Sequence, residues 1–412
     1  MARINYNNGY YEGEILGNAP HGYGTFTWTS GEYAGDKYVG DWYRDDMHGR
    51  GKYTYSDGTY YDGDWYKNQK HGYGVRVFNN GTYEGQWYEG ARTGRGRYVW
   101  NDGDKYVGDF VDGKLHGRGR FDYNDGTYYE GEWSNNEKNG YGYQTFDNGS
   151  YEGEFQNGKR TGKGKYVWNE GDVYVGEFSD GRLNGKGKYT YADGTYYVGE
   201  WSYDKKHGYG YQTFDNGHYE GEYQSGQRTG EGKFFWNDGI SYVGGFLNGK
   251  LHGKGRLNDN DGTYYEGDWY NNSKHGFGIQ IYDNGKYEGE WQVGARTGKG
   301  KYSWNSGSIY EGDFLDGKLH GVGKVTYPDG TYYDGAWSEN LKSGLGTQTF
   351  SNGIYEGEWQ HDRRTGEGRY TWTDGTSYVG QFVNGALTGF GEITFPNGEV
   401  RRGQFEDGKP VG

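Results

Sequence analysis

A Tyr-x-Gly triplet returns at Tyr11, Tyr38, Tyr61, Tyr83, Tyr106, Tyr129, Tyr151, Tyr174, Tyr197, Tyr219, Tyr242, Tyr265, Tyr287, Tyr310, Tyr333, Tyr355 and Tyr378. A chain so punctuated cannot gather around one distant core; each unit has to rest on its neighbours in sequence. After a first gap of 27 residues, the spacing rotates through 23, 22 and 23, so three units form a superunit of 68 residues. One member carries Leu-His-Gly, as in Tyr106–Arg120; one carries Gly-Tyr-Gly-Tyr-Gln-Thr-Phe, as in Tyr129–Phe146; one carries Arg-Thr-Gly, as in Tyr151–Trp168. The near-identity of the superunits points to growth by duplication of the triplet. The long first gap is a four-residue insertion around Glu32–Gly35, and Arg401–Phe405 is an eighteenth unit that lacks its tyrosine.

Within a unit the period drops to two. Tyr151, Gly153 and Phe155 alternate with Glu152 and Glu154, which is the signature of a half-buried strand. A short polar run, Gln156–Thr161, then precedes a second alternating stretch, Gly162–Trp168, and Asn169-Glu170-Gly171 turns the chain back. The unit reads as a β-hairpin with one Gly/aromatic face and one charged face.

This pattern resembles the MORN (membrane occupation and recognition nexus) repeat: Tyr-x-Gly-x-aromatic, a short loop, His-Gly-x-Gly and a later aromatic. Tyr61, Gly63, Trp65, His71, Gly72, Gly74 and Phe78 match it in one unit, and the resemblance covers roughly residues 6–412. It implies an all-β fold, an elongated, twisted, single-layer antiparallel sheet of stacked hairpins. It also implies a non-catalytic role in scaffolding, dimerisation, or placement near membranes and the cytoskeleton.

Composition agrees with a repeat array. Gly supplies 84 of 412 residues, and aromatics make 20% of a chain that is only 31% hydrophobic. Aliphatic residues are too scarce for an ordinary core, so aromatic stacking along neighbouring hairpins and a long backbone ladder must carry stability. Four prolines suit a continuous sheet. We expect one array over 1–412, with 1–10 as a partial cap and 396–412 as a degenerate terminal repeat. Seventeen hairpins at ~4.8 Å per strand give a path on the order of 160 Å. The open terminal edge needs a cap or a second copy of the chain.

The rings of Trp42, Trp65, Trp87, Phe110, Trp133, Phe155 and Phe178 are expected on a concave side as core packing, with a groove gripping a peptide or lipid chain as the alternative. Eight histidines (His21, His48, His71, His116, His207, His252, His275 and His320) share one slot, which elsewhere holds Thr93, Asn139, Thr161, Asn184 or Ser343. Such free exchange excludes a metal ligand or general base and suggests a side chain bonded to the loop backbone. Asn258–Gly262 looks like the start of a calcium loop, but Leu257 occupies the first ligand position, so it reads as a turn. Asn80-Gly81-Thr82 and Asn148-Gly149-Ser150 likewise read as turns. No enzyme fingerprint and no cofactor motif is present.

The net charge of −14 argues against nucleic acid. The charges are nevertheless sorted with the 68-residue period. Arg92, Arg160, Arg228, Arg296 and Arg364, and Lys70, Lys138, Lys206, Lys274 and Lys342, fall in the polar runs between paired strands. Asp57, Asp125, Asp193, Asp261 and Asp329 fall in the opposite turns. Hairpins stacked in register would then carry one basic edge and one acidic edge. This serves solubility and edge protection, or a repeated contact with an acidic partner, filament or lipid headgroup gaining through multivalency. The leading functional expectation is a scaffold that spaces or links protein partners, cytoskeleton-associated and homodimeric through a terminal edge. Peripheral binding of anionic phospholipid through the basic edge is the alternative, and a carbohydrate-binding repeat is a third. The chain has no cysteine, and Met1–Tyr11 has no apolar run; a cytoplasmic site, at the cytoskeleton or a membrane, is expected.

Overall fold

The computed structural model describes residues 1–411 and divides into two compact units, Met1–Lys205 and Lys206–Gly412. Each unit is an open antiparallel meander in which every strand pairs with its neighbours in the chain. The first runs from Ala2–Tyr6 to Tyr196–Ser202, the second from Lys205–Phe214 to Lys409–Val411. The all-β, stacked-hairpin expectation is met.

The hairpin read from Tyr151 shows how the sequence builds the repeat. Strand Gly149–Gln156 pairs with Lys159–Trp168, and only Asn157 and Gly158 lie between them. Both have positive φ, 49° and 79°, the two-residue turn whose twist matches that of paired strands. The polar run Gln156–Thr161 is therefore not a loop. Gln156 pairs with Lys159, Phe155 with Arg160 and Glu154 with Thr161. The register then slips at Gly153/Glu154, where Gly162 (φ 53°) forms a bulge. On its other side the strand pairs Gly164 with Gly176 and Tyr166 with Tyr174.

The bulge has a dedicated clasp. Its distorted backbone leaves the Lys163 N–H without a ladder partner, and the Glu154 carboxylate accepts it at 3.1 Å. The same contact joins Asp41 to Arg50, Asp64 to Tyr73, Asp109 to Arg118 and Asp313 to Val322, at 2.9–3.0 Å. These first-strand carboxylates are not merely a solvated face.

The core is a row of anchor tyrosines, all with 0% exposure. Each ring lies over the paired glycines of its own hairpin: a Cβ on Gly164 would stand 2.4 Å from the Tyr151 ring. The Tyr151 hydroxyl donates to the Glu154 carbonyl at 3.1 Å and reaches the Thr161 carbonyl at 3.3 Å. That second acceptor is the backbone of the histidine slot, as it is at His71 and His275. The anchor thus reads the slot's carbonyl, and the side chain is left free to vary.

Candidate interaction face

Every strand has one face toward the anchor rings and one away. On the ring face an anchor meets aromatic rings edge-on, as a rule one from its own strand and one from the next hairpin, although Tyr11, with Ile15 on its strand, meets only Trp42. Tyr38 meets Trp42 and Trp65 at 5.1 and 5.4 Å; Tyr151 meets Phe155 and Phe178 at 5.2 and 4.9 Å. Trp42, Trp65, Trp87, Phe110, Trp133, Phe155 and Phe178 are all buried in this ladder, at 1–6% exposure. The Trp65 indole N–H also donates to the Gly51 carbonyl of the preceding hairpin at 2.9 Å. These rings are spent on packing.

The ten cations expected on a basic edge lie elsewhere. Because the turns hold only two residues, the register sets Arg92 opposite Trp87, Arg228 opposite Tyr223 and Lys138 opposite Trp133, on the ring face. Arg228 lies 5.2–5.8 Å from the rings of Phe214, Tyr219, Phe234 and Phe246 and donates to the Gly249 carbonyl of the next hairpin at 2.8 Å. Arg92, Arg160 and Arg364 make the same bond at 2.5–2.6 Å, and Arg296 makes it to Gly317. The Nζ of Lys138, Lys206 and Lys342 donates to Gln144, Gln212 and Gln348 at 2.8, 2.6 and 2.5 Å, and Lys274 does so to Gln280. Lys70 lies over Tyr61 and Trp87, with Arg76 in the glutamine's place. Burial lowers the Lys138 and Lys206 amines to about 8. All ten are half-buried; they tie hairpin to hairpin and form no exposed edge.

The histidine expectation is also corrected. The imidazoles of His48 and His71 lie tilted between hairpin-end tyrosines: His48 is 5.6 Å from Tyr43 and 5.2 Å from Tyr66, and His71 follows between Tyr66 and Tyr88. The Nδ1 atoms of His21, His48, His252 and His320 are buried without a hydrogen-bond partner, so at these four the Nδ1 does not fasten the loop backbone. Among the described residues no cluster of metal-ligating side chains occurs. The turn aspartates stay exposed as turn formers. Asp261 accepts the Thr263 N–H at 2.8 Å, and Asp57, Asp125, Asp193 and Asp329 bond the residue two positions on in the same way. Asn80 and Asn148 accept the hydroxyls of Tyr98 and Tyr166 at 2.9 and 2.7 Å.

The face turned away from the rings is the accessible one. In the unit Met1–Lys205 it holds a groove of about 740 Å³ floored by Gly119, Gly131 and Gly142, with Arg95, Arg118 and Tyr141 on its walls. A second hollow of about 370 Å³ adjoins it, sharing Tyr141 and Glu152 and lined further by Lys163, Lys165 and Lys186. The Tyr141 hydroxyl donates to Glu152 at 3.0 Å, which fixes the ring where the two hollows meet. Arg95, Arg118, Lys163, Lys165 and Lys186 are exposed, and none makes an ion pair among the described residues. The sequence reading assigned this face only a general charge; the signal for it was the residue between the two glycines of each second strand.

A family model described as the MORN repeat matches seventeen consecutive segments of the chain, from 11–33 to 378–400. A comparison with curated proteins returned no match. Among solved structures, the TCP domain of SAS-4 from Drosophila melanogaster, in complex with a proline-rich motif of Ana2, is 10% identical. The match covers 53% of this chain and 90% of that one, with a TM-score of 0.18. Virginiamycin B lyase from Staphylococcus aureus is 12% identical over 75% of this chain and 83% of its own, with a TM-score of 0.12. Neither likeness carries an argument at that score.

Proposed function

The chain belongs to the MORN repeat family, and from that premise we propose that it is a non-catalytic scaffold whose repeated surface holds and links protein partners. The observation that carries this reading is the division of labour between the two faces. Rings, anchor hydroxyls and the half-buried cations are consumed in joining hairpin to hairpin, while the opposite face presents exposed side chains at the repeat period. Repeated weak contacts on one chain gain strength through effective concentration.

Two finer readings belong to the same proposal. A homodimer would form by edge pairing; among the described residues the strand Ala2–Tyr6 pairs with Gly9–Leu16 alone. A cytoplasmic site beside a cytoskeletal or membrane structure is the setting in which such a linker would serve. A lipid-binding role would need cations other than Arg92, Arg160, Arg228, Arg296 and Arg364, whose guanidinium groups are already bonded to backbone carbonyls.

The test is cross-linked capture of the full chain from its own cells, with the mass of the purified chain measured alongside. A scaffold returns complexes in which one chain holds two or more different proteins. Capture of nothing beyond what an unrelated β-array captures would remove the reading, and a purely monomeric mass would remove the homodimer.

A further inference from the structure

We infer that the first hairpin, Gly9–Leu16 paired with Ala19–Trp28, carries an aromatic cage for the guanidinium of an arginine supplied by a partner protein. This rests on the scaffold reading and names the group by which one partner is held. In five later hairpins the cage is filled from within the chain. Arg92, Arg160, Arg228, Arg296 and Arg364 lie among rings and donate to the carbonyls of Gly113, Gly181, Gly249, Gly317 and Gly385 in the next hairpin's turn. Around Arg92 the rings are Phe78, Tyr83, Tyr98 and Phe110, at 5.3–5.9 Å.

The first hairpin repeats this arrangement with the cation replaced. Pro20 stands opposite Ile15, as Arg92 stands opposite Trp87. The Pro20 carbonyl accepts the Asp45 N–H at 3.2 Å, and the Arg92 carbonyl accepts the Gly113 N–H at 2.9 Å, so Asp45 holds the turn position of Gly113. Tyr6, Tyr11, Phe26 and Trp42 take the places of the four rings. Tyr6 and Phe26 lie 5.3 Å apart, against 5.9 Å for Phe78 and Tyr98. Tyr11 and Trp42 lie 5.4 Å apart, against 5.0 Å for Tyr83 and Phe110. The rings thus keep nearly the spacing of a filled cage with no arginine among them.

The hollow they bound measures about 340 Å³, and Pro20, Asp45 and Met47 also line it. The corresponding hollow one hairpin type further on, about 300 Å³, has Arg160 in its lining. No lysine or arginine lines the first one. Asp45 is exposed, accepts the Tyr6 hydroxyl at 3.2 Å and makes no ion pair among the described residues. Arg44, beside it in the turn, lies over the Tyr43 ring at 5.5 Å. A carboxylate therefore stands at the mouth of a cation cage that has no cation of its own.

That combination selects a guanidinium. Its flat face suits the rings and its N–H groups can donate to the Asp45 carboxylate and carbonyl. A trimethylammonium would suit the rings but donate nothing to Asp45, and an apolar side chain would bury the carboxylate without a partner. The five arginines named above are held in their own cages, so the guanidinium comes from another protein. Tyr6 is 38% exposed, which leaves the hollow open to it.

The test uses the only two methionines of the chain, Met1 and Met47, of which Met47 lines the hollow. The full chain is labelled with carbon-13 at the methionine methyl groups and titrated with the peptide acetyl-Gly-Arg-Gly-amide. We expect a saturable shift of the Met47 signal with Met1 unmoved. The citrulline peptide, of the same shape without the charge, should bind at least about tenfold more weakly, and Asp45→Asn should weaken the arginine peptide at least about threefold. Pro20→Arg should fill the cage from within: Met47 shifts before any peptide is added and no longer responds, and the denaturation midpoint is held or raised. A Met47 signal unmoved by the arginine peptide, equal binding of the citrulline peptide, tighter binding of a trimethyllysine peptide, or a Pro20→Arg chain that still responds would overturn the inference. If Met47 does not respond and multi-protein complexes are still captured from cells, the cage inference falls and the scaffold reading stands.

Discussion

Two kinds of cation occupy the same hairpins and should answer substitution differently. Arg228 has its guanidinium among four rings and bonded to the Gly249 carbonyl, and burial pulls its pKa down. Arg228→Met keeps most of the packing stem and deletes a charged hydrogen bond and the ring contact, offset in part by the relieved desolvation. We expect a loss of about 1–2 kcal/mol. Arg95→Met touches an exposed, unpaired side chain and should cost less than ~0.5 kcal/mol. Chemical denaturation of the two variants side by side decides it, and equal costs would refute the distinction. The buried lysines and anchor tyrosines add a pH signature. Lys138 and Lys206 titrate at about 8 in the native chain against an ordinary 10.5, so above pH 8 the unfolded chain binds more protons and stability rises with pH. Burial pushes the anchors the other way, Tyr355 to about 12 and Tyr151 and Tyr219 higher still. From about pH 9 the many tyrosines of the unfolded chain begin to give up protons that the native chain keeps, and stability falls. The denaturation midpoint should therefore climb from about pH 8 to about 9 and then drop, and K138M/K206M should flatten the climb and leave the drop.

At the scale of the hairpin, the bulge clasp can be tested where it is missing. Ala336 stands where Asp64, Asp313 and Glu358 hold a carboxylate, and the Leu345 N–H has no such acceptor. Ala336→Glu should slow hydrogen exchange at Leu345 about fivefold, equivalent to ~1 kcal/mol of local stability; unchanged exchange would show that the clasp contributes nothing. The hairpin is also where the sequence reading succeeded and slipped. Its strands are legible because the alternation of Tyr151, Gly153 and Phe155 recurs from unit to unit, whereas the seating of the anchor ring on two glycines shows only in the pairing of Gly153 with Gly164. The polar run Gln156–Thr161 exceeds the turn by four residues, because Gln156 and Lys159-Arg160-Thr161 are polar yet paired, and Asn157-Gly158 is the stronger turn signal. Those four residues carry Arg160 from an expected edge to the ring face. The bulge is not legible, since the two extra residues Gly162 and Lys163 leave the composition unchanged and show only in the pairing of Gly153 with Gly164 and Glu154 with Thr161.

For the molecule as a whole, stability is a sum of local terms, because each anchor ring meets only its own hairpin and the next. The natural unit of that sum is the superunit rather than the hairpin. Removing residues 129–196 joins Tyr128 to Tyr197, re-creating the Tyr196–Tyr197 junction and the order of the three hairpin types. Removing only residues 129–150 joins Tyr128 to Tyr151 and sets the Arg160 hairpin against the wrong neighbour. Arg160 then loses the Phe146 ring at 5.4 Å, and Tyr166 loses both its stack on Phe146 and the Asn148 acceptor at 2.7 Å. Those contacts are worth ~2 kcal/mol together, or about 4–8 °C for a unit of this size. The smaller deletion should thus lower the thermal midpoint by about that much, while the deletion three times longer shifts it by less than about 3 °C. Midpoints ordered the other way, by the number of residues removed, would mean that the hairpins are interchangeable and that the 68-residue period does no structural work.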